Sequence, residues 1–144
     1  QAHVEAILEC VAIAEKASVR FGLEPRANSL VASSDAFLRL WDQSRSERFG
    51  CVLDVTHAAF HRENLPAAIK KLGPRLFTLQ VCGTDGVSVR HLPLGESDRA
   101  TLAGASEALR DSGFNGTVDV EMYGMPVEQV DESYRQARAA LEQM

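Results

Sequence analysis

Apolar residues recur at three- and four-residue spacing through Val4, Ile7, Leu8, Val11 and Ala14, a period that predicts a helix with one buried face as far as Ala17. The run from Val19 to Glu24 is short and mostly apolar, and Pro25 stops it because proline has no amide hydrogen to extend a ladder. It predicts a first strand with Glu24 as its last residue. Ser33-Ser34-Asp35 offers capping oxygens ahead of Phe37, Leu38, Leu40 and Trp41, and Gly50 is expected beyond the end of that helix. A second strand, Cys51 to Val55, follows. Pro66 to Leu72 reads as a helix with proline near its start and Gly73-Pro74 just past its end. The third strand runs from Leu76 to Val81 and is followed by a loop over residues 83–95. A helix beginning at Ser97-Asp98 carries Leu102, Ala105 and Leu109 and closes at Gly113. The fourth strand, Thr117 to Glu121, leads to a last helix with Val127, Val130, Tyr134, Ala137 and Leu141 on one stripe.

Strands alternating with helices imply parallel strands joined by right-handed crossovers, so the fold class is α/β. Two architectures use this pattern, an open doubly wound sheet and an eight-stranded barrel, and both collect ligands at the C-terminal ends of their strands. Because side chains alternate along a strand, Glu24 shares a face with Gly22, Asp54 with Val52, Gln80 with Thr78 and Glu121 with Asp119. Four polar side chains therefore converge on one mouth.

The 144 residues, 45% hydrophobic and 24% charged, are expected to form one domain over residues 1–144. No apolar run reaches the roughly 20 residues that cross a bilayer, and the start lacks the basic and apolar regions of a signal peptide. A soluble, cytoplasmic protein with no membrane partner is the expectation; the first residue, Gln1, suggests a processing boundary. A net charge of −5 with scattered Lys and Arg argues against nucleic acid as a partner. The three cysteines, Cys10, Cys51 and Cys82, have neither disulfide nor zinc spacing, and Cys10 and Cys51 read as small buried apolar residues.

Carboxylates at neighbouring strand ends repel one another and lose hydration unless a cation joins them. Oxygen donors suit magnesium or manganese, while a mixed nitrogen and oxygen set admits cobalt or zinc. Plainer roles compete: Glu24 could cap a loop amide, and Asp54 could cap a following helix. His57 and His61 would share a helical face, though His61 reads better as a solvated residue. Arg26 is a candidate anion clamp, His91 a loop residue within reach of substrate, and Asp119 a partner for Arg20.

Several stretches in order resemble the second half of the xylose isomerase-like barrels, the superfamily of sugar isomerases and epimerases. They are Leu23-Glu24-Pro25, Leu53-Asp54-Val55-Thr56-His57-Ala58, Ile69-Lys70-Lys71-Leu72-Gly73-Pro74-Arg75-Leu76, His91-Leu92-Pro93-Leu94-Gly95-Glu96 and Gly113-Phe114-Asn115-Gly116-Thr117-Val118-Asp119-Val120-Glu121. The resemblance implies a (β/α)4 half of a TIM barrel and one divalent metal held by Glu24, Asp54, Gln80 and Glu121. Gln80 departs from the pattern, which has histidine there, and Cys82 and Gly83 stand where the family has basic and acidic residues. The resemblance further implies metal-assisted proton transfer beside a carbonyl, with Glu24 and Glu121 as acid and base on opposite sides of a sugar or hydroxy-ketone. His57 falls on the family's substrate-binding histidine. A full barrel needs about 250 residues and eight strands, so an N-terminal half-barrel or a second copy is expected to complete this one. A rival reading is a non-catalytic carbohydrate-binding or regulatory member that lost its metal with the histidine. An abasic-site endonuclease of the same superfamily would call for more histidines than the four present and for a basic groove.

Overall fold

The computed structural model describes residues 2–142, apart from the side chains of residues 140 and 141. Gln1 and the place of Leu141 on the last helical stripe thus lie outside the described residues. The elements are α1 (Ala2–Ala17), β1 (Phe21–Leu23), α2 (Ser34–Ser44), β2 (Phe49–Asp54), α3 (Val55–Phe60), α4 (Leu65–Leu72), β3 (Leu76–Val81), α5 (Arg99–Asp111), β4 (Thr117–Val120) and α6 (Val127–Glu142). All neighbouring strands run parallel in one four-stranded sheet of order β1-β2-β3-β4. This is half of a TIM barrel. Among the described residues no helix is long and apolar enough to cross a membrane.

The core lies between the sheet and the helices outside it. Phe49, Cys51 and Leu53 of β2 and Leu79 and Val81 of β3 pack with Phe37 and Leu40 of α2, Ile69 and Leu72 of α4, and Leu102 and Ala105 of α5. Each large aliphatic side chain so buried contributes roughly 1.5–3 kcal/mol. The opposite face is less covered: Val52 and Thr78 are half-buried, and Thr117 and Asp119 are exposed.

Where the structure departs from expectation, local causes are visible. β1 ends at Leu23 and β4 at Val120, so Glu24 and Glu121 stand one residue past their strands. Val55 starts a helix rather than ending a strand, because Asp54 caps α3 by accepting the His57 amide at 2.8 Å. The end of α2 is capped by Arg45 in the left-handed region (φ 49°), its N–H donating to the Trp41 carbonyl at 2.7 Å. Gly50 therefore ends no helix; it lies inside β2, where an added Cβ would come within 2.3 Å of the Phe77 ring. Phe77 is the extra residue where the β2–β3 register passes from Cys51↔Leu76 to Val52↔Thr78. Its ring carries the Arg20 guanidinium 3.6 Å above it, and no ion pair joins Arg20 to Asp119 among the described residues. Cys51 is buried but Cys10 is exposed on α1, because the apolar stripe of that helix passes through Ile7, Val11 and Ala14 instead.

Candidate functional site

Four strand ends and one loop build the site. The register pairs Asp54 with Gln80 and Gln80 with Asp119, and the Glu121 amide donates to the Val81 carbonyl at 3.1 Å, which sets Glu121 just beyond the same row. The loop after β3 returns through an antiparallel bridge between Gly83 and Leu92, with N–O distances of 2.8 and 2.9 Å. Asp98 ties its far end by accepting the Gly95 amide at 2.8 Å and the Thr84 amide at 3.4 Å. The bridge delivers His91, 6% exposed, to the strand ends.

Asp54 divides its oxygens between two tasks. Oδ1 caps α3 through the His57 amide, and Oδ2 lies 3.3 Å from His91 Nε2. Because Asp54 opens α3, the His57 ring sits within the first turn of that helix, where Nε2 lies 3.3 Å from Glu24 Oε1 and Nδ1 accepts the Ala27 amide at 3.4 Å. The two imidazoles meet edge to face at 5.7 Å, and His91 meets Tyr123 likewise at 4.9 Å. The Tyr123 hydroxyl donates to Glu121 Oε1, which links the fourth strand end to the same cluster.

Burial pushes the Glu24 carboxyl above the ordinary carboxylate range. Asp54 and Glu121 add to this, while Arg26, with Nε 3.8 Å away, and His91 oppose it. Burial likewise holds His57 below the usual imidazole value against the pull of Asp54, so His57 is neutral near neutral pH. Seven buried side-chain polar atoms lack a hydrogen-bond partner among the described residues, and five of them are Asp54 Oδ2, His57 Nε2, Gln80 Oε1, His91 Nε2 and Glu121 Oε2. A buried polar atom left unpaired costs about 1–3 kcal/mol, so five at one place mark a site shaped for a bound group. Donor atoms of Asp54, His57 and His91 lie within 4.8 Å of one another, and with Gln80 and Glu121 they form a mixed oxygen and nitrogen set that fits a divalent ion.

Of the residues expected from sequence, Glu24, Asp54, His57, His91, Gln80 and Glu121 all come to this mouth. Arg26 is exposed at its rim, its side chain 60% accessible. His61 is exposed against the Phe60 ring and joins no such group. Two features went unread. Tyr123 follows the strand without any pattern to distinguish it, and the approach of His91 to Asp54 depends on the path of the loop. Burial raises the Cys82 thiol to about 12 although the Thr56 hydroxyl lies 2.9 Å away.

A parallel β/α half-barrel whose polar side chains gather beyond the strand ends defines a class in which the scaffold carries the site on its loops and strand termini. The chain belongs to the xylose isomerase-like TIM barrel family, whose model matches residues 1–144. Among solved structures it is similar to a D-tagatose 3-epimerase-like protein (TM-score 0.82, 22% identity, covering 96% of this chain and 53% of that one). It is also similar to the D-psicose 3-epimerase of Clostridium cellulolyticum H10 with D-tagatose (0.73, 21%, 96% and 54%) and to a 3-keto-D-glucoside 4-epimerase of E. coli (0.77, 15%, 94% and 52%). The chain thus spans about half the length of these proteins. A comparison with curated proteins found no significant match.

Proposed function

We propose that this half-barrel carries the reacting groups of a divalent-metal-dependent isomerase or epimerase acting on a ketose or a related hydroxy-ketone. The observation that carries the reading is the convergence of five unpartnered buried polar atoms at the strand ends. The sugar epimerases that share the fold support the substrate class.

Glu24, Asp54 and Glu121 would hold the ion with Gln80 as a weaker carbonyl donor, and manganese or magnesium suits such donors, with cobalt or zinc admitted by nitrogen. When bound, the metal supplies Lewis acidity toward the substrate oxygens. The chain's own residues supply the rest. Glu24 and Glu121, just beyond the ends of separate strands, exchange protons with opposite sides of the reacting carbon. Burial, which raises the Glu24 carboxyl above the ordinary carboxylate range, favours its taking up a proton. His57 Nε2 bears the proton, since Nδ1 accepts from Ala27, and donates to a substrate oxygen. His91 and Arg26 border the substrate, Arg26 at the rim. The wall of the pocket is completed by an N-terminal half-barrel or by a second copy, because the edges of β1 and β4 are otherwise unpaired. A cytoplasmic location belongs to the same reading.

The non-catalytic alternative rests on Gln80 alone. Elemental analysis and manganese titration of the intact protein, with Glu121→Gln as control, test the reading. Stoichiometric binding that the variant loses, together with epimerisation in a screen of ketoses, is the expected result. Absence of binding at millimolar metal would overturn it.

A further inference from the structure

We infer that the nitrogen donor for the metal in this chain is His91 Nε2, delivered by the loop after β3, in place of the strand position occupied by Gln80. The inference rests on reading the cluster as a metal site. It starts from Asp54 and His91, whose side chains are 0% and 4% exposed, with Oδ2 and Nε2 3.3 Å apart. Neither atom makes a hydrogen bond among the described residues. His91 Nδ1 lies 3.2 Å from the Val89 carbonyl oxygen. A carbonyl only accepts, so Nδ1 carries a ring proton, and in the neutral ring Nε2 turns a lone pair toward the carboxylate.

In that neutral form two lone pairs face each other away from water and repel unless a positive group, a proton or a metal ion, joins them. Adjacent ligands on an octahedral ion with bonds of about 2.1 Å stand about 3 Å apart, so the observed 3.3 Å is a separation that one ion spans. The tie from Nδ1 to a backbone carbonyl is the outer contact that fixes tautomer and ring orientation in metal-bound histidines. His57 is the weaker candidate, because its Nδ1 accepts from Ala27 and its protonated Nε2 faces Glu24. Gln80 offers only a neutral carbonyl. The loop has thus replaced the charge-accepting ligand that β3 lacks.

The test loads the intact protein with Mn2+ and reads imidazole nitrogen coupling to the bound ion by pulsed electron paramagnetic resonance. Wild type should show the coupling. His91→Gln should lose it and bind Mn2+ at least about tenfold more weakly, the lower bound for losing even an outer contact. His57→Gln should keep it. The double variant His91→Gln with Gln80→His should regain both coupling and affinity, which separates loss of a ligand from loss of folding. Coupling that persists in His91→Gln, or bound Mn2+ without nitrogen coupling in wild type, overturns the inference while leaving the metal reading intact. Failure of wild type to bind Mn2+ overturns both.

Discussion

The position of His91 depends on a glycine that touches no functional residue, and replacing Gly83 by alanine tests that dependence. Gly83 and Leu92 exchange two backbone hydrogen bonds. A Cβ on residue 83 would stand 2.1 Å from the Pro93 carbonyl oxygen and 2.9 Å from the carbon that bears it. An ordinary carbon–oxygen contact is roughly 3.3 Å, so the returning strand of the loop must retreat by roughly 1 Å. Backbone cannot swing aside as a flexible side chain does. Overpacking of this kind costs about 1–3 kcal/mol, and loss of the two hydrogen bonds adds roughly 0.5–1.5 kcal/mol each.

The loop should therefore open more easily by about 2–6 kcal/mol, which is roughly 30- to 25,000-fold faster exchange of the Leu92 amide, up to the limit set by global unfolding. Hydrogen exchange read at Leu92 measures this directly. Mn2+ binding should weaken in parallel, because His91 adjoins the displaced pair. Gly86→Ala is the comparison: Gly86 has φ of 68° but nothing within 4 Å of an added Cβ, so it adds only backbone strain of about 1–2 kcal/mol to the closed loop and should speed Leu92 exchange less than Gly83→Ala does. Leu92 exchange within a factor of about three of wild type in Gly83→Ala, under 1 kcal/mol of opening, would refute the packing argument.

Two further predictions concern the carboxylates. In metal-free protein Asp54→Ala should lower stability by about 1 kcal/mol through loss of the α3 cap, whereas Asp54→Asn keeps a capping oxygen and should unfold near wild type; both should bind Mn2+ weakly. Equal destabilisation in thermal melts would show that the Oδ1 cap is not what holds α3. Glu24 has a carboxyl raised by burial and by Asp54 and Glu121, so its contribution favours the folded chain at low pH and is lost as pH rises through the raised value. Glu24→Gln should accordingly raise Tm near neutral pH in the presence of chelator, with the gain vanishing in acid, and melts across pH that show the opposite trend would contradict the assignment.

The parts of the fold that were legible in the sequence are those where periodicity and punctuation agree. β3 runs from Leu76 to Val81 as expected, because Gly73-Pro74 ends the preceding helix and the apolar run leaves no alternative. Ser33 caps α2 and Asn64 caps α4 through their side-chain oxygens, the first expected within Ser33-Ser34-Asp35 and the second standing two residues before the more conspicuous Pro66. The helix α3 was missed because Val55 and Thr56 favour strands, and a single cap at Asp54 overrides that preference. Gly50 misled for a related reason: glycine marks helix ends and close approaches alike, and only the position of the Phe77 ring decides between them. The carboxylates of the site were legible because strand ends are. The approach of His91 to Asp54 was not, since a loop's return path is set by contacts such as Gly83 with Leu92 and Asp98 with Gly95 that no local period encodes.

Asp54 contacts both buried histidines of the site. One oxygen holds the amide of His57 and thereby seats that imidazole at the start of α3; the other faces the imidazole of His91. A single buried carboxylate thus positions one histidine through the backbone and opposes a second through its lone pair. The strand fixes the carboxylate rigidly, while the loop that brings His91 is held by a two-hydrogen-bond bridge and by Asp98. Affinity for a cation is then coupled to the local stability of that loop, because the ion and the closed loop each favour the same arrangement. Binding of Mn2+ should slow Leu92 exchange by the same factor by which opening of the loop weakens Mn2+, a reciprocity that a ligand set confined to the strand ends would not produce.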